Sequence, residues 1–171
     1  AYYRACAQLA RTIMRVLAVS LGVSPTAFDA LVAERVHTSY LRMNYYPLCP
    51  RPAPESQSLS EPDPERDGSL GINKHTDAGC ITVLYQRPRG PSSLQVFLPD
   101  TANEGSRGGA EAGAGVQGTW HRVVPEPGAL TINVGDMMQV LSNDRFRAPL
   151  HRVLAHERRE HLVQLVHLER G

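Results

Sequence analysis

LGINKHTDAGCITVLYQ, residues 70–86, reads as two β-type runs, Leu70 to Asp77 and Cys80 to Gln86, parted by two residues. Inside the first run His75 and Asp77 stand two positions apart. On a strand, residues i and i+2 face the same way, so an imidazole and a carboxylate are aimed at one point. Chance alone supplies about 0.3 His-x-Asp pairs in a chain of this make-up, so the pair by itself does not define a metal site.

The same β-type pattern recurs at Leu94 to Leu98, Thr119 to Val124, Ala129 to Val134, Ala148 to Ala155 and His161 to Leu168. Turn signals such as RPRG (88–90 with its leading Arg87) and PEPG (125–128) separate the runs. Many short strands with helices only at the front argue for an antiparallel roll, a mainly β jelly roll, in preference to an α/β fold.

Two helices are expected to lead into it. From Tyr2 to Leu21 the apolar residues Tyr3, Cys6, Leu9, Ala10, Ile13, Met14, Leu17 and Leu21 recur at three- and four-residue steps, which marks an amphipathic helix with Gly22 as its C-cap. Ser24-Pro25 matches an N-cap followed by Pro at the first helical position, opening a short helix toward Glu34. The period then becomes two. In TSYLRMNYY (38–46) Leu41, Met43 and Tyr45 fall on one face of a strand, and Arg42, Asn44 and Tyr46 on the other.

Pro47 to Gly68 holds six prolines and is expected to be a long loop, of the kind that walls active sites. Residues 99–118 are Gly- and Ala-rich and read as a flexible insertion. The organisation expected is one catalytic domain over 1–171, with leading helices in 1–36 and the roll in 38–168.

The 171 residues suffice for one well-buried domain, and a formal net charge of +1 gives no electrostatic footprint for nucleic acid or an anionic membrane. Small-molecule ligands and a monomeric protein are expected. Cys6, Cys49 and Cys80 are odd in number and lack Cys-x-x-Cys spacing, which argues against a disulfide framework or a thiolate zinc site and for a cytoplasmic setting. Cys49 and Cys80 are read as small buried apolar residues. No role is assigned to His37, Trp120, His121, His156 or His167. GDMMQVLSN (135–143) reads as a turn into a short packing helix.

A third ligand for the pair must come from elsewhere. APLHRV (148–153) puts His151 in another β-type run, which an antiparallel roll can bring across. Two His and one carboxylate on one face leave up to three coordination positions open, the arrangement of non-haem Fe(II) oxygenases. On that strand Arg152 points away from the site and is read as structural.

The motifs MNYYPLCP (43–50), HTDAGCITVLYQ (75–86) and TWHRVVPEPGALTINVGDMMQVLSNDRFRAPLHRVL (119–154) occur in order and together resemble the Fe(II)- and 2-oxoglutarate-dependent oxygenases, the superfamily of isopenicillin N synthase. ITVLYQ and APLHRV are especially similar to isopenicillin N synthase. The resemblance implies a double-stranded β-helix and an enzyme that uses Fe(II), 2-oxoglutarate and O2 to hydroxylate or desaturate a small metabolite. It implies His75, Asp77 and His151 as the iron ligands and catalytic centre, with Asn44 and Tyr46 at pocket positions near the co-substrate. Family members also carry an N-terminal region, expected to be missing from this chain, which opens on Ala1 inside a helical pattern.

One motif departs. The family's Arg-x-Ser, which holds the far carboxylate of 2-oxoglutarate, falls at His161 and Val163. His161 is then the residue expected at the co-substrate, and losing the fixed guanidinium is expected to cost about 2 to 5 kcal/mol of binding. Arg158 or Arg159 could replace it only through a register slip that reverses every side chain of the strand. Two further readings stay open: an isopenicillin N synthase-like oxidase that does not use 2-oxoglutarate, and a truncated homologue without activity.

Overall fold

A computed structural model describes residues 1–32, 39–48, 70–88, 92–100, 117–155 and 161–168, the last of these as backbone alone. Helix α1 (Tyr2–Ser20) is followed by a 3₁₀ turn (Asp29–Val32) and strands β1 (Tyr40–Tyr46), β2 (Leu70–His75), β3 (Ile81–Gln86), β4 (Leu94–Pro99), β5 (Gly118–Arg122) and β6 (Thr131–Val134). Helix α2 (Asp136–Leu141), β7 (His151–Leu154) and β8 (His161–Leu168) complete the order.

The strands form two four-stranded antiparallel sheets, β1-β8-β3-β6 and β2-β7-β4-β5. Each mixes early and late strands, and successive strands alternate between layers except at β4 and β5, which pair within one sheet. The expected mainly β fold with flanking helices is the one observed.

Period-two alternation sorts the residues of β3. Ile81 and Val83, with Ile132 and Val134 of β6, pack outward against Cys6, Ala10 and Met14 of α1. Leu84 points inward to Tyr46, Leu94 and Val153, which fill the space between the sheets. The helical spacing read from the sequence therefore buries one stripe of α1, and Gly22, at φ +80°, closes that helix.

Four expectations change. The segment after Pro25 is a series of turns ending in the 3₁₀ turn, because Ala27, Asp29 and Leu31 donate their N–H groups to carbonyls three residues back, at 3.0 Å each. Strand β2 stops at His75, so Asp77 lies beyond its end and not on it. The insertion begins later than expected: Pro99 and Gly118 are paired ends of β4 and β5, and residues 101–116 lie outside the described set. Several outer strand boundaries also contract, β7 running only from His151 to Leu154 and β6 from Thr131. The loop reading of residues 49–68 lies outside the described residues, as do Glu34, His37, Cys49, His156, Arg158 and Arg159.

Met14 is 1% exposed at the centre of the α1 contact. Met14→Ala should lower unfolding free energy by about 2 to 5 kcal/mol, measured by denaturant titration, while Fe(II) affinity per folded molecule stays unchanged.

Candidate metal centre

His75 and His151 are direct cross-strand partners at the ends of β2 and β7, so pairing alone brings their rings to a centroid separation of 4.3 Å. Each ring has one nitrogen committed to backbone. His75 Nδ1 lies 2.8 Å from the Asn73 carbonyl and His151 Nδ1 lies 3.0 Å from the Pro149 carbonyl. A carbonyl oxygen only accepts, so both Nδ1 atoms carry the proton and both Nε2 lone pairs are left for a ligand.

Asp77 completes the group from the link between β2 and β3. Its Oδ1 lies 3.5 Å from His151 Nε2 and 3.7 Å from His75 Nε2, and the three candidate ligand atoms fall within 4.8 Å of one another. Ligands about 2.1 Å from one metal and at right angles lie about 3 Å apart, so a small closure of the three side chains fits an ion. Asp77 is 7% exposed and His151 is half-buried, whereas His75 sits at the rim.

The carboxylate is oriented by residues that the motif reading did not single out. Thr82 Oγ1 on β3 donates to Asp77 Oδ2 at 2.6 Å, and Asn133 Nδ2 on β6 donates to the same oxygen at 2.8 Å. Thr82 and Asn133 are register partners. Oδ2 is thereby tied to one sheet, and Oδ1 is presented to the two imidazoles of the other. Burial pushes the Asp77 carboxyl pKa up, but the bonds from His151, Thr82 and Asn133 outweigh it and hold the group well below the usual carboxylate range. Burial lowers the His151 pKa, and the Asp77 and Pro149 contacts override it in the other direction.

The bend that places Asp77 is made by α2. Asp136 N–H donates to the Asp77 carbonyl at 2.7 Å, Met137 N–H to Gly79 at 3.2 Å and Gly135 N–H to Cys80 at 3.0 Å. These first-turn N–H groups have no partner inside the helix, and the 77–80 carbonyls supply one. Gly135 lies so close that an added Cβ would overlap the Gly79 and Asp77 carbonyl oxygens. Met138, fully buried in the α1 cluster, seats the helix from its other side, as the sequence suggested for this segment.

Arg152, next to the distal His, turns to the opposite face, where Nε donates to Gln95 Oε1 at 2.9 Å and the guanidinium carbon lies 4.1 Å over the Trp120 ring. Its structural reading holds. Cys80 is fully buried as expected.

Asn44 and Tyr46 lie apart from the triad. They line a cavity of about 530 Å³ between β1 and β2. Asn44 Nδ2 donates to Tyr46 Oη at 3.3 Å, and Arg42 Nε donates to Asn44 Oδ1 at 2.8 Å. Burial raises the Tyr46 phenol pKa against the opposing effects of Asn44 and Arg42. The register sets His161 opposite Tyr46 and Val163 opposite Asn44, so positions 161 and 163 share the face of that pair. Arg42 was placed on this face by the alternation but given no role.

The sequence model of the 2OG-Fe(II) oxygenase superfamily matches residues 37–163. The chain belongs to that superfamily. Gibberellin 20 oxidase 2 of Oryza sativa is 35% identical over 153 residues, covering 90% of this chain and 30% of the relative. The 2-oxoglutarate-Fe(II) type oxidoreductase hxnY of Emericella nidulans is 34% identical, covering 93% of this chain and 37% of that protein. Among solved structures, JOX2 in complex with 2OG, Fe and JA superimposes with a TM-score of 0.74 at 27% identity, over 99% of this chain and 40% of JOX2. The chain thus spans well under half the length of these three proteins.

Removing either donor to Asp77 Oδ2 should loosen the carboxylate without touching a ligand. Thr82→Val and Asn133→Leu should each weaken Fe(II) or Co(II) binding by about ten- to a hundredfold in a metal titration, with Thr82→Ser staying near the parent value.

Proposed function

We propose that the protein is an Fe(II)- and 2-oxoglutarate-dependent oxygenase that hydroxylates or desaturates a small-molecule metabolite. The observation that carries this is the convergence of two imidazole Nε2 atoms and one carboxylate oxygen, with the other polar side-chain atoms of the three residues, both Nδ1 and Asp77 Oδ2, bonded elsewhere. His75, Asp77 and His151 would hold iron. Three protein ligands would leave open positions on such an ion, which would supply the oxidation of an unactivated C–H bond with a 2-oxo acid and O2 as co-substrates.

The chain's own groups then have distinct tasks. Thr82 and Asn133 hold Asp77 Oδ2, so that Oδ1 is the oxygen the carboxylate would offer to an ion. Asn73 and Pro149 carbonyls hold Nδ1 of each imidazole, so that Nε2 is the ring nitrogen turned to the centre. Leu84, Leu94 and Val153 pack with Tyr46 between the sheets and fix the phenol that lines the cavity. Asn44 and Tyr46 present an amide and a phenol toward the co-substrate cavity, with His161 opposite Tyr46.

The relatives' names support small organic substrates, and the net charge of +1 favours such a substrate over a nucleic acid or a membrane surface. A monomeric, cytoplasmic enzyme is part of the same proposal, in keeping with three cysteines that lack paired spacing. A second reading, an oxidase like isopenicillin N synthase that takes its electrons from the organic substrate, draws on His161 and Val163 standing where the family has Arg and Ser.

Anaerobic Fe(II) should bind with one equivalent per chain, and His75→Ala, Asp77→Ala or His151→Ala should each reduce affinity at least tenfold. Adding 2-oxoglutarate to the loaded protein should produce a visible charge-transfer band. Unchanged Fe(II) affinity in two of the three variants removes the site. A loaded protein that gives no band but takes up O2 with an organic substrate selects the oxidase reading, and one that does neither with any substrate tried is a homologue without activity.

A further inference from the structure

Arg42, Asn44 and Tyr46 stand in a row along one face of β1, exposed, half-buried and buried in turn, and the row is joined by the Arg42 to Asn44 and Asn44 to Tyr46 hydrogen bonds. All three line the cavity, whose opposite wall is Leu70, Ile72 and Ala155. Arg42 is the only charged side chain among the described residues of that lining. Its Nε is committed to Asn44, and no further hydrogen bond or ion pair to the guanidinium occurs among the described residues. Nη1 and Nη2, with four N–H donors in one plane, are therefore available to a planar anion.

The cavity borders the two strands that carry the metal-centre histidines. Ile72 on its wall is three residues from His75 along β2, about 10 Å at about 3.3 Å per residue. Ala155 follows β7, which begins at His151. Positions 161 and 163, where the resembled family has Arg and Ser, lie opposite Tyr46 and Asn44, and Arg42 is the next residue of that row, opposite position 165.

We propose that Arg42 is the charged anchor for the distal carboxylate of 2-oxoglutarate, acting with Asn44 and Tyr46 in place of the Arg and Ser that positions 161 and 163 lack. The proposal rests on the oxygenase reading of the triad. It needs no register slip, since β1 and β8 pair continuously from Tyr40↔His167 to Tyr46↔His161. A fixed positive charge is what a dicarboxylate requires there, and guanidinium, unlike imidazole, keeps it at every physiological pH.

The test uses the anaerobic Fe(II)-loaded protein and two probes, 2-oxoglutarate and 2-oxobutanoate, which share the chelating end and differ in the distal carboxylate. The parent should bind 2-oxoglutarate at least tenfold more tightly than 2-oxobutanoate, equivalent to about 1.4 kcal/mol, and the preference should shrink at high salt. Arg42→Gln should abolish the preference while Fe(II) affinity and 2-oxobutanoate binding stay unchanged, and Arg42→Lys should restore part of it. A parent with no preference overturns the proposal without any variant. So does a preference that survives Arg42→Gln, which would assign the guanidinium to a carboxylate on the organic substrate, or an equal loss of both acids, which would make Arg42 a structural residue. A loaded protein that binds neither acid overturns the 2-oxoglutarate reading of the site itself, and the proposal with it.

Discussion

An ionised carboxylate almost sealed from solvent is the constraint on which this structure turns. Burying Asp77 unpaired would cost several kcal/mol, and the chain avoids that cost by giving Oδ2 two donors and Oδ1 two imidazole neighbours. Those partners dictate much else. Thr82 and Asn133 can reach one oxygen only if β3 and β6 are adjacent and in the observed register. The backbone can leave β2 and turn the carboxylate inward only because the first turn of α2 receives the carbonyls of Asp77, Gly79 and Cys80. Helix α2 in turn is held by Met138 in the cluster under α1, so the outer core and the metal centre are mechanically one unit.

Local pattern carried far in this chain. The period-two reading of residues 40–46 separated Arg42, Asn44 and Tyr46 from Leu41, Met43 and Tyr45, and the first three are the ones joined by side-chain hydrogen bonds in a row. The helical stripe of Tyr2 to Leu21 placed Cys6, Ala10 and Met14 correctly in the core. The convergence of His75, Asp77 and His151 was legible because the motifs around them are themselves local. The route by which Asp77 arrives was not: i and i+2 on one strand was the wrong geometry, since the donors that bend residues 77–80 come from α2, far along the chain.

The pairing of Asp77 with Thr82 and Asn133 was illegible for the same reason. Nothing in a single sequence says that β3 and β6 will be neighbours, and a lone Asn in TINV carries no motif. The segment after Pro25 shows the limit on a smaller scale. Its capping residues were read as opening a short helix, but cap chemistry does not choose between bonds three and four residues long, and the Arg15 to Asp29 ion pair, at 2.7 Å, ties the resulting turns to α1.

The three convergent side chains do not belong to one layer. His75 and His151 ride on the sheet β2-β7-β4-β5, and Asp77 is tied through Oδ2 to β3 and β6 of the other. Whatever the three atoms grip is consequently a rivet between the two layers. Holding such a rivet stiffens the sandwich against sliding of one sheet over the other, so occupancy of the centre and rigidity of the fold rise together.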